Sequence, residues 1–126
     1  MPAGKSGAGG MVTIYGIKNC DTMKKARAWL AANGVDHVFH DYREAGIDAA
    51  TLKRWAKAVG WEKLLNKAGT TFRGLPPEKK AVSTESGAMA LMLEAPTLIK
   101  RPVLDRDGDI LVGFKPDLYA EAFAPG

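Results

Sequence analysis

Apolar positions along this chain fall into two spacings, and the switches between them mark out the elements. Val12, Ile14 and Ile17 bracket a short first strand. From Met23 onward the spacing becomes helical: Met23, Ala26 and Leu30 share a face with Trp29 beside them, and Lys24, Lys25 and Arg27 fill the other. Asp21 or Thr22 is placed to cap this helix, and Asn33-Gly34 supplies a left-handed stop. Val35 to Tyr42 is a second predicted strand, with Val38, Phe39 and Tyr42 as its apolar members. Strand, helix and strand in this length make a βαβ unit with parallel strands.

The next stretch, about 48–95, is predicted to be all helical. Asp48 opens a helix in which Leu52, Trp55, Ala56 and Val59 form one apolar stripe, and Gly60 stops it. Trp61 to Lys67 is a short helix with Leu64 and Leu65 inward, residues 69–71 form a loop, and Pro76-Pro77 begins a turn or brief helix. Ser83 or Thr84 caps a helix carrying Ala88, Leu91, Met92 and Ala95, which Pro96 ends. Pro102 to Leu104 is the third strand, residues 105–109 the turn, and Ile110 to Val112 the fourth strand, antiparallel to the third. Pro116 starts a last helix with Leu118, Tyr119, Ala122 and Phe123. The sum is an α/β chain with a mixed four-stranded sheet and a helical insertion.

Composition narrows the class. A chain of 126 residues is expected to form a single domain over residues 11–126. Residues 1–10 are small, Gly-rich and without pattern, so they are read as a disordered leader, either natural or a cloning remnant. With 46% apolar and 25% charged residues the chain is of ordinary globular type. No apolar run is long enough for a membrane helix, and no signal peptide is visible. A net charge of +4 is scattered rather than striped, which argues against direct nucleic-acid binding and permits a weak pull on small anions. A single cysteine excludes an internal disulfide and suits a reducing, cytoplasmic setting. His37 and His40 are three apart on a predicted strand and so on opposite faces, so no metal site is expected.

That cysteine, Cys20, sits where the first strand turns into the first helix, after Gly16, which is read as permitting a sharp turn. A thiol beside unpaired amides, at the positive end of a helix dipole, is favoured as thiolate, the nucleophilic form. A lone cysteine is also commonly a small buried hydrophobe, and position by itself leaves both roles open.

Tyr15-Gly-Ile-Lys-Asn-Cys20-Asp-Thr-Met-Lys-Lys-Ala26 resembles the opening motif of the ArsC/Spx-like family, arsenate reductase-related proteins, and within it the YffB-type branch of glutathione-dependent thiol reductases. Asp41-Tyr-Arg43, Leu64-Leu-Asn-Lys67, Gly69-Thr-Thr71, Arg73 and Leu98-Ile-Lys-Arg-Pro-Val103 extend the resemblance over nearly everything after Met11. It implies a thioredoxin-like fold with an ArsC-type helical insert. It implies Cys20 as catalytic nucleophile, and Arg101, ahead of a cis Pro102, as the cation that stabilises the thiolate or grips an anion. Lys18, Asn19, Thr22, Asn66, Arg73, Pro102 and Lys115 are the remaining candidates for substrate or glutathione binding, with Thr70 and Thr71 matching positions near the family's site.

Met23 stands where a Cys-x-x-Cys enzyme has its second thiol, so any redox cycle at Cys20 must borrow a thiol from outside. The expected enzyme is a monothiol thiol/disulfide reductase with no bound cofactor. Its co-substrate is glutathione or a glutaredoxin-like protein thiol, its substrate a small molecule or a disulfide, and the chain is expected to be a monomer. Two alternatives stand beside it. One is an Spx-like regulator that binds RNA polymerase, although Spx proteins often carry the Cys-x-x-Cys switch that Met23 removes. The other is a true arsenate reductase, although such enzymes of the family use three arginines, and here Asn66 and Lys115 stand in place of two.

Overall fold

The computed structural model describes residues 12–18 and 20–124; the leader and Asn19 both lie outside the described residues. In chain order the elements are β1 (Val12–Gly16), α1 (Asp21–Ala32), β2 (Val38–Asp41) and α2 (Tyr42–Ala45). Then come α3 (Ala49–Val59), α4 (Trp61–Leu64), α5 (Thr70–Arg73), α6 (Pro77–Lys80), α7 (Glu85–Glu94) and a 3₁₀ turn over Pro96–Leu98. β3 (Val103–Arg106), β4 (Asp109–Val112) and α8 (Pro116–Ala122) complete the chain. These elements divide into two compact units: the chain up to His40 together with the chain from Arg101 onward, and the stretch Asp41–Lys100.

The sheet is mixed and four-stranded, in the order β2-β1-β3-β4. β1 runs antiparallel to β3, with Val12 opposite Arg106 and Tyr15 opposite Val103, and β3 runs antiparallel to β4. The alternation in β1 sends Val12 and Ile14 into a core with Met23, Ala26 and Leu30 of α1, Leu104 of β3 and Tyr119 of α8. An aromatic cluster closes that core: Tyr119 lies 5.6 Å from Trp29, 4.8 Å from Phe114 and 6.3 Å from Phe123 between ring centroids. A strand–helix–strand unit and a C-terminal hairpin with its helix, in this strand order, form the expected thioredoxin-like fold.

In the Asp41–Lys100 unit the cores of the helices fall where the periodicity placed them. Leu52, Trp55 and Ala56 of α3 and Ala88, Leu91 and Met92 of α7 are buried. Asp48 caps α3 through the Thr51 amide at 2.7 Å, and Thr84 rather than Ser83 caps α7 through the Gly87 amide at 3.1 Å.

Several boundaries differ from expectation, each for a local reason. The second strand starts at Val38, not Val35, because residues 33–35 close the end of α1: the Val35 amide bonds the Leu30 carbonyl at 2.9 Å. It also stops before Tyr42, because the Asp41 carboxylate accepts from the Arg43 amide at 2.9 Å and opens α2. Tyr42 is instead fully buried, and its hydroxyl donates to the Ile99 carbonyl at 2.8 Å. The helix expected to reach Lys67 ends at Leu64, because Leu65 pairs with Ile99 in an isolated bridge and the Asn66 amide donates to the Leu98 carbonyl at 2.8 Å. The loop expected at 69–71 becomes α5 from Thr70. The hairpin turn shrinks to Asp107-Gly108, with φ of 51° and 99°, so Asp105, Arg106 and Asp109 join the ladder.

The same chemical change at two buried tyrosines should have opposite outcomes. Tyr42→Phe strips the Ile99 carbonyl of its donor and is expected to cost about 1–2 kcal/mol in urea unfolding. Tyr119→Phe removes a hydroxyl that is buried with no hydrogen-bond partner among the described residues, and is expected to be neutral or stabilising in the same measurement.

Candidate active site

Cys20 is the N-cap of α1, in extended conformation with φ −102° and ψ 128°. Its carbonyl accepts the first helical bond, from the Lys24 amide at 3.0 Å. Asp21 and Thr22, which sequence reasoning offered as caps, therefore do not cap this helix. The chain enters the helix one residue earlier, and the cysteine side chain occupies the position where a serine or aspartate oxygen ordinarily faces the amides of the first turn. No capping hydrogen bond of ordinary geometry closes from the Cys20 side chain. The amides of Thr22 and Met23 still act on the sulfur and favour its anion.

Arg101 reaches the same sulfur from the other end of the unit. The Arg101-Pro102 peptide bond is cis. Pro102 is buried, and its carbonyl accepts the Gly113 amide at 2.8 Å, which ties this segment to the far end of the β3–β4 hairpin. Arg101 is half-buried, and its side chain bonds Cys20. Partial burial is the largest single influence on Cys20 and pushes its thiol up. Opposing it, in decreasing order, are the Met23 amide, the hydrogen bond from Arg101, the Thr22 amide and the charge of Arg101, and together they hold the thiol below its ordinary value.

The other candidates are placed as follows. Lys18 is exposed in the turn before the thiol, and Thr22 is half-buried in the first turn of α1. Lys115 is exposed at the N-cap of α8. Asn66 and Arg73 belong to the Asp41–Lys100 unit: Asn66 is half-buried with its amide against Gly69, and Arg73 is exposed at the end of α5. Thr71, in the same helix, lies with its Oγ1 3.3 Å from Oγ1 of Thr97. His40 stacks on Tyr15 at 4.9 Å and His37 Nδ1 lies 3.0 Å from the Val35 carbonyl. No group of three or more His, Cys, Asp or Glu among the described residues is placed to hold a metal ion.

Sequence reasoning missed two contributors. Met23 was read as the absence of a second thiol, yet its backbone amide is the leading stabiliser of the Cys20 anion. Gly16 was read as a turn residue. It is an ordinary strand residue at the end of β1, and its missing side chain leaves room for Met23. Neither role has a sequence signal, because both depend on how α1 packs against β1.

A model of the ArsC family matches residues 15–122. The chain belongs to the ArsC family. Among solved structures, this ArsC-family chain is 54% identical to the YFFB protein, with a TM-score of 0.87 over 90% of this chain and all of that one. It is 56% identical to an arsenate reductase (ArsC) related protein from Brucella melitensis, with a TM-score of 0.72 over 91% of this chain and 96% of that one. A curated relative, the global transcriptional regulator Spx of Streptococcus agalactiae, is 27% identical over 91% of this chain and 84% of its own length. The ArsC-family domain carries its thiol on a thioredoxin-like frame, the setting of a redox enzyme.

The pH dependence of Cys20 follows from the direction of its shift. A thiol whose pKa is lowered stays ionised to lower pH, and its alkylation rate falls only as pH drops through that lowered value. Arg101→Ala removes two of the influences that lower it and leaves burial in place. The inflection of iodoacetamide alkylation against pH is expected to move upward in the variant. If wild type and variant share the free-thiol profile, Cys20 is not activated.

Proposed function

We propose that this chain is a monothiol thiol/disulfide reductase of the ArsC family, cytoplasmic and monomeric, with Cys20 as nucleophile and glutathione as its reductant. The observation that carries the reading is the Cys20 thiol whose pKa, despite burial, is lowered by the Met23 and Thr22 amides and by Arg101, in a chain with no second cysteine. Its thiolate attacks a sulfur of the substrate disulfide. One new S–S bond forms to Cys20, the old S–S bond breaks, and the departing sulfur leaves as thiolate and takes up a proton. Where the substrate is a glutathione mixed disulfide, the group left on Cys20 is glutathione. A second glutathione, or a glutaredoxin-like protein thiol, attacks that bond, restores the Cys20 thiolate and leaves as the oxidised disulfide. The net reaction turns the mixed disulfide and one external thiol into the free substrate thiol and the oxidised disulfide.

Arg101 supplies the charge that keeps the leaving Cys20 sulfur stable in the second step. No bound cofactor is required. Lys18, Asn19, Thr22, Pro102 and Lys115, in the unit that holds Cys20, complete the proposed binding set for glutathione or substrate. Arsenate is the weaker substrate in this reading. Asn66 and Lys115 replace two arginines that the family's arsenate reductases use, and each lost charge-assisted contact is worth about 1.5–3 kcal/mol.

A second reading, a regulator that binds RNA polymerase, is supported by the likeness to Spx. One pair of measurements separates them. Under glutathione disulfide, intact mass spectrometry is expected to show one glutathione on the wild type and none on Cys20→Ser. In a glutathione- and glutaredoxin-coupled assay, a small disulfide is expected to turn over at least about a hundredfold faster than arsenate, the scale of two missing contacts. Robust arsenate turnover would assign the arsenate reductase reading instead. Failure to form the adduct, with co-purification of RNA polymerase, would assign the regulator.

A further inference from the structure

The thiolate depends on where the first turn of α1 points, and one side chain decides that. Met23 is 1% exposed and is the first member of the buried stripe Met23, Ala26, Leu30, so it is the core contact of α1 nearest the thiol. Its side chain lies over the last residue of β1. A Cβ built on Gly16 would overlap Met23 Sδ and come within 2.9 Å of Cε and 3.0 Å of Cγ, so the thioether end of Met23 would have to shift to admit one. An unbranched thioether with three rotatable bonds fits so irregular a space. Met23 is also the third residue of α1, counted from Asp21, so its amide is one of the helix donors that has no helical acceptor and faces the N-cap side chain.

We propose that Met23 is a positioning residue for the Cys20 thiolate: its side chain, buried beside Gly16, holds the first turn of α1 so that the Met23 amide is aimed at the sulfur. The proposal rests on the reading of Cys20 as nucleophile and deepens it. The packing and the amide belong to one residue, so the contact with β1 bears on the sulfur through a single peptide unit. Arg101, from the segment before β3, is the ionised side chain that acts on the sulfur. Asp21 and Lys24 on α1 and Lys18 in the preceding turn are exposed to solvent.

The test is the alkylation–pH profile of Cys20 in the full chain, for wild type, Gly16→Ala, Met23→Ala, Met23→Leu and Leu30→Ala. Gly16→Ala and Met23→Ala are each expected to move the inflection up by about one unit, the scale of one weakened charge-assisted hydrogen bond. Met23→Leu keeps the volume and apolar character of the side chain and is expected to titrate with the wild type. Leu30→Ala destabilises the same stripe by a core cavity and is expected to leave the profile unmoved. If Gly16→Ala does not fold, the Met23→Ala and Met23→Leu pair decides. An unmoved profile in Met23→Ala, or an equal shift in Leu30→Ala, overturns the proposal while the nucleophile reading stands. A wild-type profile at the free-thiol value ends both.

Discussion

The candidate site turns on one thiol whose pKa is lowered in a place that partly excludes water. Burial works against its charged form and is the largest single influence on Cys20. No one partner overcomes it. Two amides from the first turn of α1 and the guanidinium of Arg101 act together, and they come from positions about eighty residues apart in the chain. The fold is the device that brings them to one point. β1 delivers Cys20 to the start of α1, and the segment entering β3, tied through Pro102 to Gly113, delivers Arg101.

That arrangement explains why a cysteine serves as an N-cap here. Serine, threonine, aspartate and asparagine cap helices well because their oxygens accept from the first-turn amides. A thiolate in the same position accepts from the same amides. The N-cap of α1 is the cysteine itself, and no side chain closes the first turn with a capping hydrogen bond. Met23, in place of a second thiol, is built into the core, so the sulfur has no internal partner for a disulfide. Thiol counting and electrostatics point the same way: a single thiol of lowered pKa in an ArsC-family frame has no second cysteine in the chain to pair with.

The Asp41–Lys100 unit has a separate logic. Its helices are short except for α3 and α7, and it is held by long-range backbone pairing as well as by packing. Leu65 pairs with Ile99, the Lys100 amide donates to the Leu64 carbonyl at 2.7 Å, and Tyr42 bonds Ile99. The stretch 98–100 therefore has its backbone bonds placed by α4 and the residues after it. Asn66, where the family's arsenate reductases have arginine, sits in this bonded stretch with its side chain against Gly69.

The periodic stripes of α1, α3 and α7, the caps at Asp48 and Thr84, the Asp-Gly hairpin and the solitary cysteine at a strand–helix junction were legible in the sequence. Each is a local rule that acts over a few residues: side-chain spacing, capping chemistry or turn preference. The resemblance of the Cys20 and Arg101 segments to the ArsC/Spx-like family carried the thioredoxin-like fold and the pairing of the two residues. Local rules could not carry the rest. The helix start at Cys20 instead of Asp21 and the escape of Tyr42 from its strand depend on hydrogen bonds that several competing local patterns allow. The room that Gly16 leaves for Met23, and the aim of the Met23 amide at the sulfur, arise only when α1 is laid against β1. The sequence by itself determined that one thiol stands at a strand–helix junction and that an arginine precedes Pro102. Tertiary packing decided which backbone groups face the thiol, because amide direction follows from helix placement and leaves no mark in residue type.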